Sequence, residues 1–560
     1  MVSTQNLEYE LQELYKQKKY SQIVFSISTN SLENERSSSL SNLLGICRII
    51  ENKKDKKIVS LAVKDFKNGF LKEKKTIGAI NSLANLISAS CTLYDLGERN
   101  VNFAELIDFY HSSEMYCDKD RAIHAAMMMV FMRLNDVDRL TFHLDKIIKS
   151  KNFLISDLCS YGYYQCFNKN WSQSNFLDFG RFLNKNIPVY SENQVIKLSN
   201  KKNDKIKIGF LSSDIRGGHS ITYFLKTVLE NYDKKKFEII LFLHQVKEDE
   251  TTANFINMVD KSINISSQKN LNAFNTIREF GLDIMIDLMG YTSMQRIELF
   301  KNRIAKKQIL WLGYCNTTGV DNMDYIISDP HLIHKNEKNL YSEKIIYLEK
   351  IWNCHSGFNF KRTKNEAPFL KNNYITFGSF NNLNKINEKV INCWSKILKK
   401  NKSSKLIIKT AKEKHDYNRV KLLFKKNEVL DSVIFYENKD NLQNHLNLYK
   451  EIDIALDTFP YNGVTTSFEA IWMGLPVITM DGYNFNSRCG VSINKNLNMD
   501  SLIAKNEEDY VSIATNLSKN LNKYYDLRNK IFENSEKSPL FNRQDFSKNF
   551  FNSIEKIVNL

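Results

Sequence analysis

Thr465 and Thr466 open a helix just after Gly463, inside the segment LDTFPYNGVTTSFEAIWMGLPVITM that runs from Leu456 to Met480. Upstream, Ile454 to Leu456 read as a short apolar strand that runs into Asp457 and the turn Pro460-Tyr461-Asn462-Gly463. Downstream, Pro476 starts a second strand, Val477 to Met480. The free amides and the positive dipole end of a helix placed in this way point at an anion. Gly463 lets the backbone approach closely, and the two hydroxyls add neutral donors. Glu469 lies about one turn further on, where a carboxylate can accept ribose hydroxyls. A phosphate donor and a sugar acceptor on one helix suggest a nucleotide. From these residues alone, an ordinary Thr-capped helix after a strand is an equal reading.

The elements that must position such a site change character along the chain. All six prolines lie at or beyond Pro188, so the first 187 residues lack the residue that most disrupts helices, and their apolar spacing is helical. SLSNLLGICRII near Gly45, AINSLANLISAS near Ala84 and RAIHAAMMMVFM near Ala125 each set a small residue among large apolar ones. That pattern suits helices that approach closely. LYKQKKYSQIVF (Leu14 to Phe25) is similar to the turn region of tetratricopeptide repeats, although the spacing of about 39–41 residues exceeds the usual 34. Residues 1–200 are therefore expected to form an all-α, degenerate repeat region, with Asn200 to Asp204 as a linker. From Lys205 strands such as KIGFLSS, FEIILFL, DIMIDLM and KQILWLG alternate with helical stretches. After a break near Ala367-Pro368 the alternation restarts with NYITFGSF, KLIIKT, VIFYE, IDIALD and PVITM. Two blocks of βα units imply two doubly wound parallel sheets, over residues 205–366 and 370–560, with helices at the C-terminus. Ligands in such sheets sit at the carboxyl ends of the strands, where the polar motifs fall.

Composition narrows the function. Hydrophobic content of 42% excludes general disorder. The formal charge of +16 is spread in proportion to length, without a dense basic arm, which argues for a solvated surface and against nucleic acid. The nine cysteines are scattered and no CxxC occurs, so neither a zinc site nor a disulfide framework is expected. A polar, acidic N-terminus and the absence of a long apolar run predict a soluble cytoplasmic protein without a membrane span.

The segment from Leu456 to Met480 resembles the nucleotide-sugar site of glycosyltransferase family 41. This family contains the protein O-linked N-acetylglucosamine transferases and the plant SPINDLY proteins, and the bacterial members are most similar. Four motifs occur in the family's order over roughly the last two thirds of the chain. The resemblance implies the GT-B glycosyltransferase fold, two facing Rossmann-like domains, here preceded by tetratricopeptide-like helices. It places His219, in SSDIRGGHSITYFL, beside the donor sugar and acceptor, with one residue more than the commoner DFxxH form. Gly290, Tyr291 and Thr292 match a strand-end motif bordering the acceptor cleft, where Met289 replaces a smaller or polar residue. Asn316, Thr317 and Thr318 form the polar core of a loop facing that cleft; read without the resemblance they are turn residues. Lys385 corresponds to the lysine that neutralises the β-phosphate as the glycosidic bond breaks, and Asn382 to a nucleotide contact. His445 matches the histidine near the base. Together with Asn462, Gly463, Thr465, Thr466 and Glu469 these residues make up the expected donor site. Leu442 stands where the animal enzymes have a ribose-contacting lysine, and Val464 where they have a histidine.

The expected reaction is inverting transfer of a sugar, N-acetylglucosamine from UDP-GlcNAc or another nucleotide diphosphate sugar, to Ser or Thr hydroxyls of a protein. No DxD motif falls at the diphosphate site, so no metal and no cofactor is expected. The N-terminal helices are expected to dock the protein acceptor, and removing residues 1–200 to spare donor hydrolysis. Two rival readings stand beside this one: a GDP-fucose donor, as in the SPINDLY branch, and a catalytically silent repeat scaffold.

Overall fold

Uninterrupted by proline, the first part of the chain forms helix after helix, from Thr4–Lys16 to Val137–Lys149. Side-chain caps fix where they start. Ser37, Asp55, Asp120 and Asp136 each accept amides of the turn that follows, satisfying donors a helix start leaves open. The three segments with small residues lie on helices Ser38–Asn52, Ile77–Asp95 and Arg121–Arg133, which stack on one another in turn. Gly45 shows why a small residue is needed, since a β-carbon there would come within 2.6 Å of the Phe66 ring. The computed structural model describes the chain apart from residues 1–3, 31–35, 74–76, 118–119, 169, 199–203, 246, 359–361, 363, 365, 411–416, 438–441 and 560. Most of the expected linker at Asn200 to Asp204 lies outside the described residues. The chain divides into two compact units, residues 1–157 and 158–560.

The first unit buries an unusual pair. His124 and His143 are 0% and 3% exposed, and their Nδ1 atoms lie 2.9 Å apart, so one ring donates and the other accepts. Tyr110 and Phe131 pack against the pair. Burial, then His124, His111, Lys146 and Arg139, hold the His143 ring down at about 3. A folded value below the unfolded ~6.5 means that the unfolded chain binds the extra proton between those limits. Stability from this ring is complete above about pH 6.5 and falls by up to ~1.4 kcal/mol per pH unit below it. Melting of the first unit between pH 7 and 5 should show this slope, and His143→Gln should flatten it. An unchanged slope in the variant removes the assignment.

The second unit holds two parallel sheets. The first has the order β3-β2-β1-β4-β5-β6-β7. Its strands are β1 (Ile206–Ser212), β2 (Phe237–Leu243), β3 (Lys261–Asn264), β4 (Ile284–Asp287), β5 (Lys307–Leu310), β6 (Tyr325–Ser328) and β7 (Lys344–Tyr347). The second has the order β10-β9-β8-β11-β12-β13. It comprises β8 (Thr376–Ser379), β9 (Lys405–Thr410), β10 (Val433–Glu437), β11 (Ile454–Leu456), β12 (Val477–Met480) and β13 (Ile503–Ala504). All pairings are parallel, and helices cover the faces, as near-continuous burial of β1, β2, β4 and β8 requires. This is the GT-B architecture.

Two features depart from the boundaries read from sequence. The helix Gln173–Asn186 and most of Ile155–Gln165 belong to the second unit, although the sequence pattern puts them in the helical region. A β-carbon on Gly180 would lie 2.7 Å from the Thr318 carbonyl oxygen, and one on Gly319 would lie 2.2 Å from the Gly180 carbonyl carbon. Only glycines allow this backbone-to-backbone contact, and Gly319 also has φ +66°. The last helix, Arg543–Val558, was counted with the second sheet but packs on the first. Its Phe550 meets Trp311 at 4.8 Å and its Phe551 meets Phe237 at 4.7 Å, an apolar stripe that the first sheet covers.

Candidate active site

The carboxyl end of β11 builds a tight polar turn. Asp457, 1% exposed, accepts from the Gly463 amide at 2.7 Å, the Thr458 amide at 2.8 Å and the Thr479 hydroxyl at 2.8 Å. Burial pushes its carboxyl up to about 6 against the pull of these donors. Gly463 is needed for space, because a β-carbon would fall 2.6 Å from both Asn381 Oδ1 and Thr466 Oγ1. The helix Thr465–Trp472 then starts without a side-chain cap. The Thr465 and Thr466 amides have no protein acceptor among the described residues, while Ser467 and Phe468 donate to the Val464 carbonyl.

Lys385 reaches this turn from the second sheet's first strand. It ends the 3₁₀ turn Leu383–Lys385 between β8 and the helix Glu388–Lys400. Its Nζ donates to the Asn462 carbonyl at 2.7 Å and lies 4.1 Å from the centre of the Tyr461 ring. Burial draws the ammonium below its ordinary range, and Asp457 opposes that shift. An amide pair and an ammonium thus converge on one turn, which suits a diphosphate.

One turn along the same helix, Glu469 is 5% exposed and faces His445 on the helix Leu442–Leu448. His445 Nε2 and the Tyr449 hydroxyl both approach Glu469 Oε2 at 2.8 Å. Asn382 is exposed, and its side chain accepts from the Asn384 amide at 2.9 Å, which caps the 3₁₀ turn. Its neighbour Asn381 is the residue that enters the site. It is buried, accepts from Thr466 Oγ1 at 2.9 Å and approaches Asp457 with Nδ2 at 3.4 Å. The sequence motif contains both asparagines, but only the turn decides which one points inward.

On the first lobe, His219 precedes the helix Ser220–Leu229 and caps it, with Nδ1 accepting from the Ile221 amide at 3.4 Å. Nε2 therefore carries the hydrogen and lies 3.5 Å from Asp214 Oδ1. Burial holds the ring below its ordinary range, with Asp214 opposing, so it is neutral near pH 7. In this arrangement His219 donates. Asp214 was not singled out from the sequence, although it stands in the same loop. The helix behind His219 meets the helix Thr465–Trp472 directly, with Phe224 and Phe468 rings 5.1 Å apart.

The expected acceptor-side residues are largely engaged within the protein. Asn316, Thr317 and Thr318 are each 0% exposed. Thr317 Oγ1 donates to Glu343 at 2.7 Å, and the Thr318 amide and hydroxyl donate to the other oxygen of Glu343. Asn316 accepts from Gln173 at 2.9 Å and donates to Asn486 at 3.3 Å. The Asn486 carbonyl in turn accepts from the Asn462 amide at 3.2 Å, so this loop braces the turn after β11. Gly290 and Tyr291 follow β4. Gly290 donates to the buried Asp287, Tyr291 donates to the Thr318 carbonyl, and Thr292 Oγ1 returns to the Met289 carbonyl. The lobes are also joined by Arg488, bidentate to Glu337 at 2.6 and 2.9 Å, and by Ser492 donating to Asp329 at 2.6 Å.

The fold defines a two-lobed, GT-B-type protein with a buried polar turn at the carboxyl edge of its second sheet. The chain belongs to glycosyl transferase family 41, whose sequence profile matches residues 182–360 and 360–550. It is 32% identical over 386 residues to a tomato (Solanum lycopersicum) protein named probable UDP-N-acetylglucosamine–peptide N-acetylglucosaminyltransferase SPINDLY. That match covers 66% of this chain and 40% of the tomato protein. An Arabidopsis thaliana relative named SEC, with the same activity in its name, is 24% identical over 64% of this chain and 37% of its own length. The chain thus spans about two fifths of the curated relatives it matches. A solved structure of a Thermobaculum terrenum O-GlcNAc transferase variant superposes with a TM-score of 0.78 at 20% identity, covering 93% of this chain and 98% of that one. That likeness is one of fold. Among the described residues no helix is long and apolar enough to cross a membrane.

Proposed function

We propose that this chain is an inverting, metal-independent glycosyltransferase that moves N-acetylglucosamine from UDP-GlcNAc to Ser or Thr hydroxyls of proteins. The observation that carries the reading is the seat at Thr465 and Thr466, two open amides at a helix start with the Lys385 ammonium held on the same turn. In this reading the acceptor hydroxyl oxygen attacks the anomeric carbon from the face opposite the diphosphate, and its proton passes to solvent. The bond to the β-phosphate oxygen breaks, and the electron pair leaves with the diphosphate. Amides, hydroxyls, helix dipole and Lys385 meet that growing charge, which is how such donors lower a barrier. His219, neutral and carrying its hydrogen on Nε2, orients an oxygen of the reacting pair. The names of the tomato and Arabidopsis relatives, which carry this donor and a peptide acceptor, support the choice. The helices of residues 1–157 dock the acceptor, since stacked helical repeats present extended surfaces to polypeptides. Nine buried thiols suit a reducing, cytoplasmic setting.

The test is hydrolysis of UDP-GlcNAc, UDP-glucose and GDP-fucose by the full chain, with and without EDTA. UDP-GlcNAc should be consumed fastest, and EDTA should leave the rate unchanged because protein donors hold the diphosphate. Preference for GDP-fucose moves the reading to fucosyl transfer. Loss in EDTA that Mn²⁺ restores overturns metal independence, and consumption of no donor leaves the scaffold reading.

A further inference from the structure

Lys409, at the carboxyl end of β9, belongs to none of the motifs above, yet its Nζ lies 3.1 Å from His445 Nδ1. On the other side of the ring, His445 Nε2 is 2.8 Å from Glu469 Oε2, and the Tyr449 hydroxyl donates to that same oxygen. An ammonium has only donors, so Nδ1 must be the acceptor. The ring is then neutral and carries its hydrogen on Nε2, facing the carboxylate. The side chains of His445 and Glu469 are 12% and 6% exposed, so water does little to relax this order. Phe380 and Tyr449 are the rings packed beside the imidazole, and Lys409 and Glu469 are its charged neighbours. Burial pulls the Lys409 ammonium below its ordinary range, and Glu469 holds it up. The train of ammonium, imidazole and carboxylate closes with no net charge. Both protein donors fall on Glu469 Oε2, and Oε1 accepts from no group among the described residues.

We propose that Lys409 is a positioning residue for the donor, fixing His445 in its Nε2–H tautomer so that Glu469 presents its second oxygen to the ribose hydroxyls of a nucleoside diphosphate. This rests on the reading of the site as a nucleotide-sugar seat. The role concerns binding, since neither Lys409 nor its partners touch the leaving oxygen. Removing the cation leaves nothing to hold Nδ1 as the acceptor, so the ring is free to turn a bare Nε2 toward the Glu469 carboxylate.

The experiment has two arms on the full chain. Histidine ¹⁵N NMR of the ligand-free protein near neutral pH should show His445 with a bare Nδ1 and a protonated Nε2. In Lys409→Met the ring should lose the pattern of a bare Nδ1 and a protonated Nε2, while Lys409→Arg, which also donates, should keep the wild-type pattern. Calorimetric titration with UDP and with GDP should show the better-bound nucleotide weakened at least ~10-fold by Lys409→Met and largely restored by Lys409→Arg. Turnover at saturating donor should be unchanged. A hydrogen on Nδ1 in the wild type, or Lys409→Met binding like wild type, overturns the role of Lys409. Wild-type protein that binds neither nucleotide overturns the donor-site reading itself, and the Glu469 role with it.

Discussion

Lys385→Ala should lower turnover by about 10² or more while leaving the protein folded, because a donor acting on charge that develops in the transition state is worth roughly 2.7–4 kcal/mol. The residue is half-buried and its ammonium donates to the Asn462 carbonyl, a backbone group that the rest of the turn also holds, so the fold loses little with it. Single-turnover rates separate this effect from donor affinity. The pH profile adds a second check. Burial lowers the lysine's pKa and the charged form is the working one, so activity should fall on the alkaline side earlier than an exposed lysine would dictate. A folded variant with near-wild-type turnover removes Lys385 from the leaving-group role.

Where the N-terminal helices are cut should decide whether anything remains to assay. Removal of residues 1–157 should leave a soluble protein that still hydrolyses donor slowly and transfers poorly to protein. Removal of residues 1–200 should instead destroy both activities, contrary to the expectation from sequence. The second cut strips the contact between Gly180 and Gly319, the Gln173 bond to Asn316, and the Phe167 ring, which lies 5.0 Å from Tyr461. It also removes the Cys166 carbonyl that accepts from Asn486 at 3.4 Å. Buried Phe176, Leu177 and Leu183 leave with it, each worth roughly 1.5–3 kcal/mol of burial. Solubility, donor hydrolysis and protein transfer measured on both truncations decide the matter. A 201–560 fragment that hydrolyses donor overturns the structural role given to these two helices.

Much of the candidate site was legible because it is contiguous. The strand, turn and helix start from Ile454 to Glu469 are neighbours in sequence, and their geometry follows from local rules on apolar runs, glycine and helix ends. The stacking helices were legible for a similar reason, through period and the absence of proline. The strands at β3, β6, β7 and β13 were not read, and the two residues of β13 are too few to carry a period. A half-exposed edge such as Lys261–Asn264 also lacks an apolar signature.

What the sequence by itself determined about this protein is therefore the class of its longer elements and the contiguous strand, turn and helix start around Gly463. Only the tertiary structure decided which polar groups of the candidate site are engaged within the protein. Thr317 and Thr318 read as cleft residues, and Glu343 takes their donors. Asn381 rather than Asn382 enters the turn, and Lys409 arrives from a different strand to set the His445 ring. A buried donor must find an acceptor wherever the fold brings one, and these partners come from elements distant in sequence. Local pattern carries no record of such pairings.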